Sequence, residues 1–597
     1  MRKTILILLL LAGTLARAEE KSPFMTNVYG RERVESLGGQ WNAIVDLYDL
    51  GRDKEIYLDR KAVKGSEFYE YSWEGGLRLN VPGDWNSQDP ELKYFEGTVW
   101  YARHFNYTPD ALPRRFLYFA AVSLRCNVYL NGEKIAEHEG AFTPFQVEVT
   151  DRLREGDNFL CVEVNNRRRE DAIPALSYDW WSYGGITRDV FLIAAPKVFL
   201  HDYSLALDRN DPSKINVSVT LSDAVSQDVS LNIAELGIRK ILRTDASGRA
   251  ETVLKAPKTL VKWAPDAPRL YEVVFTAGQD TVREKIGFRT LGVEGTSILV
   301  NGEKVFMRGV SFHEEIAQRM GRAFSASDAR VLLSEAAALG VNMVRLAHYP
   351  QNEYIVRLAE EMGILLWEEI PLWQSIDFGN PRTRTLAVNM YKEMIWRDHN
   401  RCAVSFWGIA NETKPGEVRD NFLTEVLETA RSMDAMRLFA IANDVVYYSE
   451  QSGFFEMHDD FVEKLDVVGV NKYMGWYAPW PMDPEDCIWR VALDKPLIIT
   501  EFGGEALYGR SGPDDWADSW SEDYQARLYR DNLAMFARIP NLAGVSPWVL
   551  FDFRSPYRYH PVNQEGWNRK GLVSDQGQRK KAWYIMHDYY QSLKNRK

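Results

Sequence analysis

The sequence predicts a multidomain chain with an N-terminal β jelly roll, an immunoglobulin-like β-sandwich and a C-terminal (β/α)8 TIM barrel. Its 597 residues are too many for one hydrophobic core. Short strands with period-two alternation fill the first half of the chain, which is typical of β-sandwiches. After about Val293, apolar strands alternate with helical stretches, which indicates a parallel α/β domain.

The first 18 residues have the pattern of a secretory signal peptide. Arg2 and Lys3 precede an apolar run at residues 5–12, and Ala16 and Ala18 supply the small residues of a cleavage site. The apolar run is too short to cross a bilayer comfortably. We therefore expect residues 1–18 to be removed and the protein to be exported, to the periplasm or the medium, without a membrane partner.

Residues 19–196 are predicted to form the jelly roll. Alternating segments such as residues 97–105 and 159–165 are separated by Asn-Gly and Gly-Asp turns. The unit ends in a loop-like run at residues 178–188, where aromatic residues and two glycines surround Asp179. Such a run suits either a loop that reaches a ligand or a packed domain junction.

Residues 197–293 form a second all-β unit of roughly a hundred residues, which suits an immunoglobulin-like sandwich. Alternation is clear at residues 215–221 and 271–275. The segment contains no cluster of reactive side chains, so it is predicted to act as a spacer.

Residues 294–597 are predicted to be the TIM barrel, because eight apolar strands can be counted in about 300 residues. They are residues 305–310, 341–346, 364–370, 404–410, 438–442, 467–470, 497–500 and 543–550. Most of these strands end in polar or aromatic residues. In a TIM barrel the carboxyl ends of the strands share one mouth, where the active site lies.

Composition restricts the class of partner and cofactor. The net charge of −12 argues against nucleic acid or an anionic membrane. Four cysteines, among them Cys126 and Cys161 in strand-like segments, lack the spacing of a disulfide scaffold or a zinc site; one bridge between those two is left open. No metal-ligand cluster and no Gly-rich phosphate loop occurs, so no metal and no cofactor are expected.

Two carboxylates stand out because each ends an apolar strand: Glu412 after the fourth strand and Glu501 after the seventh. Glu412 could simply begin a loop or cap a helix. As a pair across a barrel mouth, however, the two could cleave a glycosidic bond, one protonating the leaving oxygen and the other attacking the anomeric carbon.

These motifs resemble those of family 2 glycoside hydrolases, and within that family those of β-glucuronidases, over essentially the whole chain after the leader. The resemblance implies that Glu412, in Ala410-Asn411-Glu412, is the general acid/base and that Glu501, in Thr500-Glu501-Phe502-Gly503, is the nucleophile of a retaining mechanism. It implies that Asn411 contacts the sugar 2-hydroxyl.

The resemblance also implies a set of residues that bind the sugar. Asn568 and Lys570 match an Asn-x-Lys motif that contacts a uronic acid carboxylate, which donors of this type suit. Further pocket residues implied by the match are Asp179, His313, His348, Tyr473, Tyr477 and Trp548. Glu368, Glu369, Asp444 and Glu505 lie outside the catalytic motifs, although Glu369 and Asp444 could orient the pair.

Two departures from the β-glucuronidase pattern bear on specificity. The segment at residues 371–385 is shorter than the long loop that covers the mouth in some of these enzymes, which favours a glycan end as substrate. A basic residue expected upstream of the Asn-x-Lys motif is Gln564 here, and Arg554 or Arg558 is expected to replace it.

The expected function is therefore an exo-acting retaining β-glucuronidase that releases terminal glucuronic acid from glycans or glucuronides. The expected partner is a uronic-acid-terminated carbohydrate, and homo-oligomers are compatible with the pattern. A β-galacturonidase or β-galactosidase of the same family remains an alternative. In another class, a catalytically silent glycan-binding protein remains, although it would not need both Glu412 and Glu501.

Overall fold

A computed structural model describes residues 20–60, 71–491 and 494–595. The predicted signal peptide lies outside the described residues. Three units follow one another along the chain, each with its own hydrophobic core. Among the described residues, no helix is long and apolar enough to span a membrane.

The first unit is a sandwich of two antiparallel sheets. The six-stranded sheet runs in the order Leu77–Val81, Gly39–Asp46, Thr98–Tyr107, Gly156–Asn165, Arg125–Leu130 and Glu133–Glu139. The four-stranded sheet runs in the order Val34–Ser36, Val190–Ala195, Arg114–Phe119 and Phe145–Glu148. Alternate side chains of both sheets, including Trp41, Tyr101 and Leu117, meet in a buried core, as the period-two pattern predicts.

All four cysteines are free and buried in this structure. The strand register explains why Cys126 and Cys161 do not form a bridge. Cys126 lies opposite Val164 and Cys161 lies opposite Tyr129, so the two thiols sit on adjacent strands but are not paired across the ladder. The bridge left open by the sequence does not form in this structure.

The second unit is also a two-sheet sandwich. One sheet contains Leu200–Leu207, Lys214–Leu221 and Arg249–Lys255, and the other contains Ile238–Arg243, Asp228–Ile233, Tyr271–Ala277 and Asp280–Ile286. Seven antiparallel strands in this arrangement correspond to the predicted immunoglobulin-like fold. A small sheet of Leu291–Glu294, Ser297–Val300 and Glu303–Lys304 leads into the third unit.

The third unit is a closed barrel of eight parallel strands. The first strand is split into Met307–Arg308, which pairs with the eighth strand, and Ser311–Phe312, which pairs with the second. The other seven strands are Met343–Leu346, Leu365–Glu369, Val404–Asn411, Leu438–Asn443, Val467–Asn471, Leu497–Glu501 and Leu542–Val545. They pair in sequence order, and because the first strand pairs on both sides the barrel has no free edge.

Helices cover most of the barrel. They are Ala326–Leu339, Glu353–Met362, Pro381–Asp398, Glu417–Met433, Glu522–Phe536 and Lys581–Lys594. In the first of them the Ser325 side chain accepts from the Asp328 amide, and Gly340, with φ of 96°, ends the helix.

Among the described residues, no α-helix follows the fifth or the sixth barrel strand. A small sheet of Val446–Ser449, Phe454–Met457 and Trp489–Arg490 takes the place of these helices with two 3-10 turns. Pro479, Pro481 and Pro484 interrupt the segment after the sixth strand, and proline in a helix interior removes a hydrogen bond and clashes with the preceding turn. The small sheet and the proline-containing segment lie beside the barrel mouth.

The jelly roll packs against the same mouth. Arg188 donates to Glu314 Oε2 at 3.0 Å and to the Pro350 carbonyl, both at barrel loops. Asp84 accepts from the Arg322 amide at 2.9 Å. These buried contacts hold the 178–188 run of the jelly roll over the barrel, so the N-terminal unit can contribute side chains to the site.

Candidate active site

A cavity of about 470 Å³ opens at the carboxyl ends of the barrel strands. This is the position at which TIM barrels carry their active sites. The residues that line it are Asp179, His348, Trp373, Gln374, Glu412, Asp444, Asn471, Lys472, Tyr473, Tyr477, Ala478, Glu501, Trp548, Arg558 and Lys570. Eight of the residues predicted from sequence are in this set, including both proposed catalytic carboxylates.

Glu412 lies directly after the fourth barrel strand, every residue of which is buried. Its φ of 50° is in the left-handed region, which non-glycine residues adopt at a cost and which is more often found at functional sites. Two amides hold its carboxyl group: Asn471 donates to Oε1 at 2.8 Å and Gln374 donates to Oε2 at 2.9 Å. The side chain is therefore fixed by uncharged donors.

The surroundings raise the pKa of Glu412 to about 7. Burial is the largest cause, because a charged carboxylate loses its hydration, and the negative charges of Glu501 and Asp444 act in the same direction. The hydrogen bonds from Gln374 and Asn471 oppose the shift. At neutral pH a large fraction of Glu412 therefore carries a proton, as a general acid requires.

Glu501 ends the seventh strand and, unlike Glu412, has one charged donor among its partners. Arg345 Nη1 donates to Oε1 at 2.6 Å and the Tyr473 hydroxyl donates to Oε2 at 2.7 Å. Burial raises the pKa of Glu501, while Arg345 and Tyr473 act to lower it. The guanidinium thus favours the ionised form that a nucleophile needs, and the two carboxyl groups have different environments.

Arg345 is the main structural residue that the sequence analysis missed. It is fully buried at the end of the second strand and donates to Glu501, to both oxygens of Glu369 and to Asn411 Oδ1. Its pKa stays raised because Glu369 and Glu501 outweigh burial. A signal existed in the sequence: Arg345 is a charge inside an otherwise apolar strand, and such a charge is expected to be paired.

Glu369 anchors this network from the third strand. Burial alone would raise its pKa, but Arg345 and His348 outweigh that effect and hold the pKa at about 2. Its Oε1 lies 2.7 Å from His348 Nδ1, and the Trp367 indole donates to Oε2 at 2.7 Å. Glu369 thus orients Arg345 and His348, and its connection to the carboxylate pair runs through Arg345, which donates to Glu501.

Asn411 lies beneath the pair and is buried. Its Oδ1 accepts from Arg345 at 2.7 Å and from Asn471 at 3.2 Å, which connects the environments of Glu412 and Glu501. Its Nδ2 has no partner among the described residues. That free donor suits the sugar hydroxyl contact implied by the family resemblance.

Lys570 lies at another part of the cavity, among aromatic and acidic side chains. Its Nζ donates to the Tyr477 hydroxyl at 2.7 Å and to Glu505 Oε1 at 3.2 Å. Glu505 also accepts from Gln564 at 2.9 Å, and Lys570 and Arg558 outweigh burial to lower its pKa. Lys570 therefore already has an internal counter-ion, which the sequence analysis did not foresee.

Asp179 reaches this part of the cavity from the jelly roll. It pairs with Arg558 and accepts from Asn568 Nδ2 at 3.2 Å. Asn568 is fully buried behind Asp179 rather than among the residues that line the cavity. Asp179 thus joins the two domains at the site, and the 178–188 run does reach the barrel mouth.

Of the two arginines expected to replace the basic residue upstream of the Asn-x-Lys motif, Arg558 lines the cavity and Arg554 does not. Arg554 is buried with its guanidinium carbon 3.4 Å from the centre of the Trp181 ring and is not among the residues that line the cavity. The physical reason is the alternation of side chains along the short strand Phe553–Arg554. The Phe553 ring packs on His313, with ring centres 4.2 Å apart, so the Arg554 side chain points the other way.

The remaining predicted residues form an aromatic floor. Trp548 lines the cavity and stacks on His348, with ring centres 4.8 Å apart. His313 lies behind Trp548, is absent from the lining and has Nδ1 3.2 Å from the Tyr349 hydroxyl. Burial lowers the pKa of His313, so it is a neutral supporting residue.

The 371–385 segment also contributes to the site. Trp373 and Gln374 line the cavity, and the chain then enters the helix Pro381–Asp398. Gln374 was not selected from the sequence, since one amide in a loop carries no distinguishing pattern.

Three family profiles match the chain in order. "Glycosyl hydrolases family 2, sugar binding domain" matches residues 34–196, "Glycosyl hydrolases family 2" matches residues 198–289 and "Glycosyl hydrolases family 2, TIM barrel domain" matches residues 291–595. The barrel profile alone covers more than half of the chain.

Relatives and solved structures show the same similarity. The β-glucuronidase of Paenibacillus borealis is 24% identical over 94% of this chain and 98% of its own length. A solved β-glucuronidase of an uncultured Clostridium species is 25% identical, with a TM-score of 0.81 and coverage of 96% and 100%. The β-galacturonidase of Eisenbergiella tayi bound to galacturonate is 25% identical, with a TM-score of 0.78 and coverage of 94% and 98%. Because the three profiles follow one another along residues 34–595, the chain belongs to the glycosyl hydrolases of family 2.

Proposed function

We propose that this chain is an exo-acting retaining β-glucuronidase that releases terminal glucuronic acid from glycans or glucuronides. The observation that carries the proposal is a pair of carboxyl groups in one cavity: half-buried Glu412, held by neutral amides, and buried Glu501, held by a guanidinium. Two carboxyl groups with separated ionisation are the requirement for glycoside hydrolysis with retention.

In the first step, the Glu501 carboxylate attacks the anomeric carbon of the bound uronic acid. The bond between that carbon and the glycosidic oxygen breaks, and the oxygen takes the proton of Glu412 as the leaving alcohol departs. The products are a glycosyl ester on Glu501 and an ionised Glu412. Arg345 and Tyr473 remain hydrogen-bonded to the attacking carboxyl group and keep it in place.

In the second step, ionised Glu412 takes a proton from water while the water oxygen attacks the anomeric carbon. The ester bond to Glu501 breaks, and both carboxyl groups return to their initial states. Two inversions leave the sugar with its original β configuration. The pKa of Glu412 at about 7 suits a group that must give and then accept a proton near neutral pH.

Lys570 supports the choice of a uronic acid, because its ammonium lies in the cavity wall and its third donor position can take a substrate carboxylate. The Arg558–Asp179 and Lys570–Glu505 pairs close this end of the cavity. These ion pairs at one end of the cavity support exo action, in which only a terminal sugar is bound there. The glucuronidase relatives agree with this choice.

A β-galacturonidase is the second candidate. The same carboxylate contacts would serve a sugar with an inverted C4 hydroxyl, and the Eisenbergiella tayi enzyme bound to galacturonate covers nearly the whole chain. A β-galactosidase gains some support from the structure, since Glu505 already neutralises Lys570 and a neutral sugar would not leave the ammonium unpaired.

The test compares 4-nitrophenyl β-glucuronide, β-galacturonide and β-galactoside at equal concentrations. The proposal predicts that the glucuronide has the highest kcat/KM, that Glu501→Gln abolishes turnover and that Lys570→Met lowers kcat/KM for the uronides more than for the galactoside. A preference for the galactoside that Lys570→Met leaves unchanged contradicts a uronidase. Wild-type protein that binds uronides without cleaving any of the three indicates a silent glycan-binding protein.

We further propose that the protein is exported through cleavage after Ala18 and that it assembles into homo-oligomers. The support for export is the sequence pattern of residues 1–18. Mass determination of the N-terminus of protein from the periplasm or medium tests the first proposal, and sedimentation of the purified protein tests the second. A chain that retains Met1 inside the cell, or sediments as a monomer, contradicts the respective proposal.

A further inference from the structure

The cavity extends past Glu412 on the side away from Lys570. Gln374 and Trp373 lie there after the third strand, and Asp444 and Lys472 follow the fifth and sixth strands. Among the described residues, Gln374 is the member of these four whose side chain donates a hydrogen bond to Glu412 or Glu501. They form a separate wall of the same cavity.

The predicted role of Glu412 as general acid indicates which part of the substrate lies against this wall. A general acid lies on the side of the sugar where the glycosidic oxygen leaves, within hydrogen-bonding distance of that oxygen. The leaving group must therefore lie beyond Glu412, over the ends of the fourth and fifth strands. The Glu412 amide donates to the Ala442 carbonyl, so the fifth strand and the Asp444 turn that follows it are directly alongside.

Asp444 is a carboxylate in this wall that lacks a strong partner. Among the residues that the structure describes, no neighbouring side chain donates a hydrogen bond to it, although it lies in the cavity lining and is half-buried. Burial raises its pKa, with the Lys472 and Lys414 charges opposing the rise. A half-buried carboxylate of this kind is favourably satisfied by hydroxyl or amide donors of a ligand.

Lys472, in the cavity lining, and Tyr447, outside that lining, both lie near Asp444. Lys472 Nζ donates to the Val446 carbonyl at 2.6 Å and lies 5.6 Å from the centre of the Tyr447 ring. Tyr447 is about half exposed (51%), on the small sheet that replaces the fifth barrel helix. An acceptor, a donor and an exposed aromatic ring are the groups that bind a pyranose, whose ring has hydroxyls at its edge and an apolar face.

We propose that Asp444, with Lys472 and Tyr447, forms a leaving-group subsite that binds a saccharide unit through its hydroxyl groups, so that the natural substrate is a glycan rather than an aryl glycoside. This inference rests on the proposed glycosidase function. Asp444 accepts from the hydroxyls of the leaving sugar, Lys472 donates to them and Tyr447 covers one face of the ring. Asp444 acts on specificity, and the bond-breaking groups remain Glu412 and Glu501.

The test uses the glycone that the three-glycone assay finds best, linked either to 4-nitrophenol or, through β-1,2, β-1,3 and β-1,4 bonds, to glucose or galactose. The quantity measured is the kcat/KM for the best disaccharide divided by the kcat/KM for the aryl glycoside. The disaccharide has the poorer leaving group and depends more on the proton of Glu412 than the aryl glycoside does. Both kcat/KM values are therefore taken on the plateau below the basic limb, where Glu412 stays protonated in wild type and in every variant. Aryl turnover also reports that each variant is folded.

Asp444→Asn is expected to lower the ratio about tenfold or more, since the carboxylate offers charge-assisted hydrogen bonds that the amide does not. Lys472→Met is expected to lower the ratio several-fold. Asp460→Asn, a matched change of an exposed acid on the 3-10 turn Asp460–Lys464, should leave the ratio within twofold.

Two outcomes overturn the subsite proposal while leaving the glycosidase function intact: a ratio within twofold of wild type in Asp444→Asn, or wild-type protein that cleaves the aryl glycoside and none of the disaccharides. Wild-type protein that cleaves no glycoside of either kind overturns the proposed function and the subsite with it. These results are distinct, so a failure can be assigned to one proposal or the other.

Discussion

Replacing Arg345 with methionine removes the cation shared by two buried carboxylates. In the native protein Arg345 donates to Glu501 at 2.6 Å, to Glu369 at 2.8 and 3.1 Å and to Asn411 at 2.7 Å. Methionine has a comparable stem and fills similar space without a charge. The variant therefore tests the electrostatic contribution of Arg345 more than its packing.

The loss of stability expected for Arg345→Met can be calculated from the pKa of Glu369. Its pKa is held at about 2, against an ordinary value of 4.5, by Arg345 and His348 despite burial. A depressed pKa gives stability that is present above the unfolded value and is lost as the pH falls through the folded value. At about 1.4 kcal/mol for each unit of pKa, the depression corresponds to roughly 3 kcal/mol at pH 7. Breaking a buried ion pair generally costs about 3–5 kcal/mol, which agrees.

The Arg345→Met substitution should also shift the pH dependence of kcat/KM. Glu501 must be ionised to attack, and burial already raises its pKa. Without the guanidinium the pKa rises further, so the acidic limb of kcat/KM moves to higher pH. Urea unfolding at pH 7, monitored by tryptophan fluorescence, measures the free energy of unfolding. The kcat/KM for an aryl glucuronide between about pH 4 and pH 8 gives the pH of the acidic limb.

Arg308→Met is the matched control. Arg308 is also buried, in the first barrel strand, and donates to the Gly340 carbonyl. Its replacement should destabilise the barrel less and leave the acidic limb where it is. Equal loss of stability in the two variants, together with an unmoved acidic limb in Arg345→Met, would refute the reasoning.

Four further predictions follow from the same geometry. Glu412→Gln should lower kcat/KM for poor leaving groups about 10²–10⁴-fold, and added azide should restore turnover of 4-nitrophenyl glycosides; no rescue would argue against its role as acid/base. Because Glu412 must be protonated and its pKa is about 7, the wild-type kcat/KM should fall as the pH rises through about 7, and a limb above pH 8 would contradict this value. Gln374→Ala removes a donor that lowers the pKa of Glu412, so the basic limb should move upward, and a downward shift would contradict the assignment. Lys570→Met should raise KM for the uronide about tenfold or more with a smaller effect on kcat, whereas equal effects on uronide and galactoside would exclude recognition of the carboxylate.

The sequence was sufficient for the architecture and for the position of two carboxyl groups at the barrel mouth. Eight apolar runs in order predict a closed parallel barrel, because strands buried on both faces need apolar residues throughout. The same logic identifies Glu412 and Glu501, since a carboxyl group directly after such a strand lies at the common mouth. The family resemblance then assigns roles that strand patterns alone leave open.

Helix positions and the surroundings of the carboxylates were less accessible from sequence. A (β/α)8 barrel has a helix after every strand, yet among the described residues a small sheet and two 3-10 turns follow the fifth and sixth strands. Three prolines interrupt the segment after the sixth strand. The sequence left Arg554 and Arg558 as alternatives. The side-chain alternation of its strand turns Arg554 towards Trp181, while Arg558 lines the cavity.

The local sequence determined which residues end the strands, because period and polarity are properties of neighbouring residues. Only the tertiary structure decided that Arg345, Glu369 and Asn471 surround the pair, that Asp179 arrives from another domain and that Glu505 neutralises Lys570. Those contacts join residues far apart in the chain. The pKa of Glu412 depends on burial and on the charges that folding brings within a few ångströms, and neither quantity is encoded in any one segment.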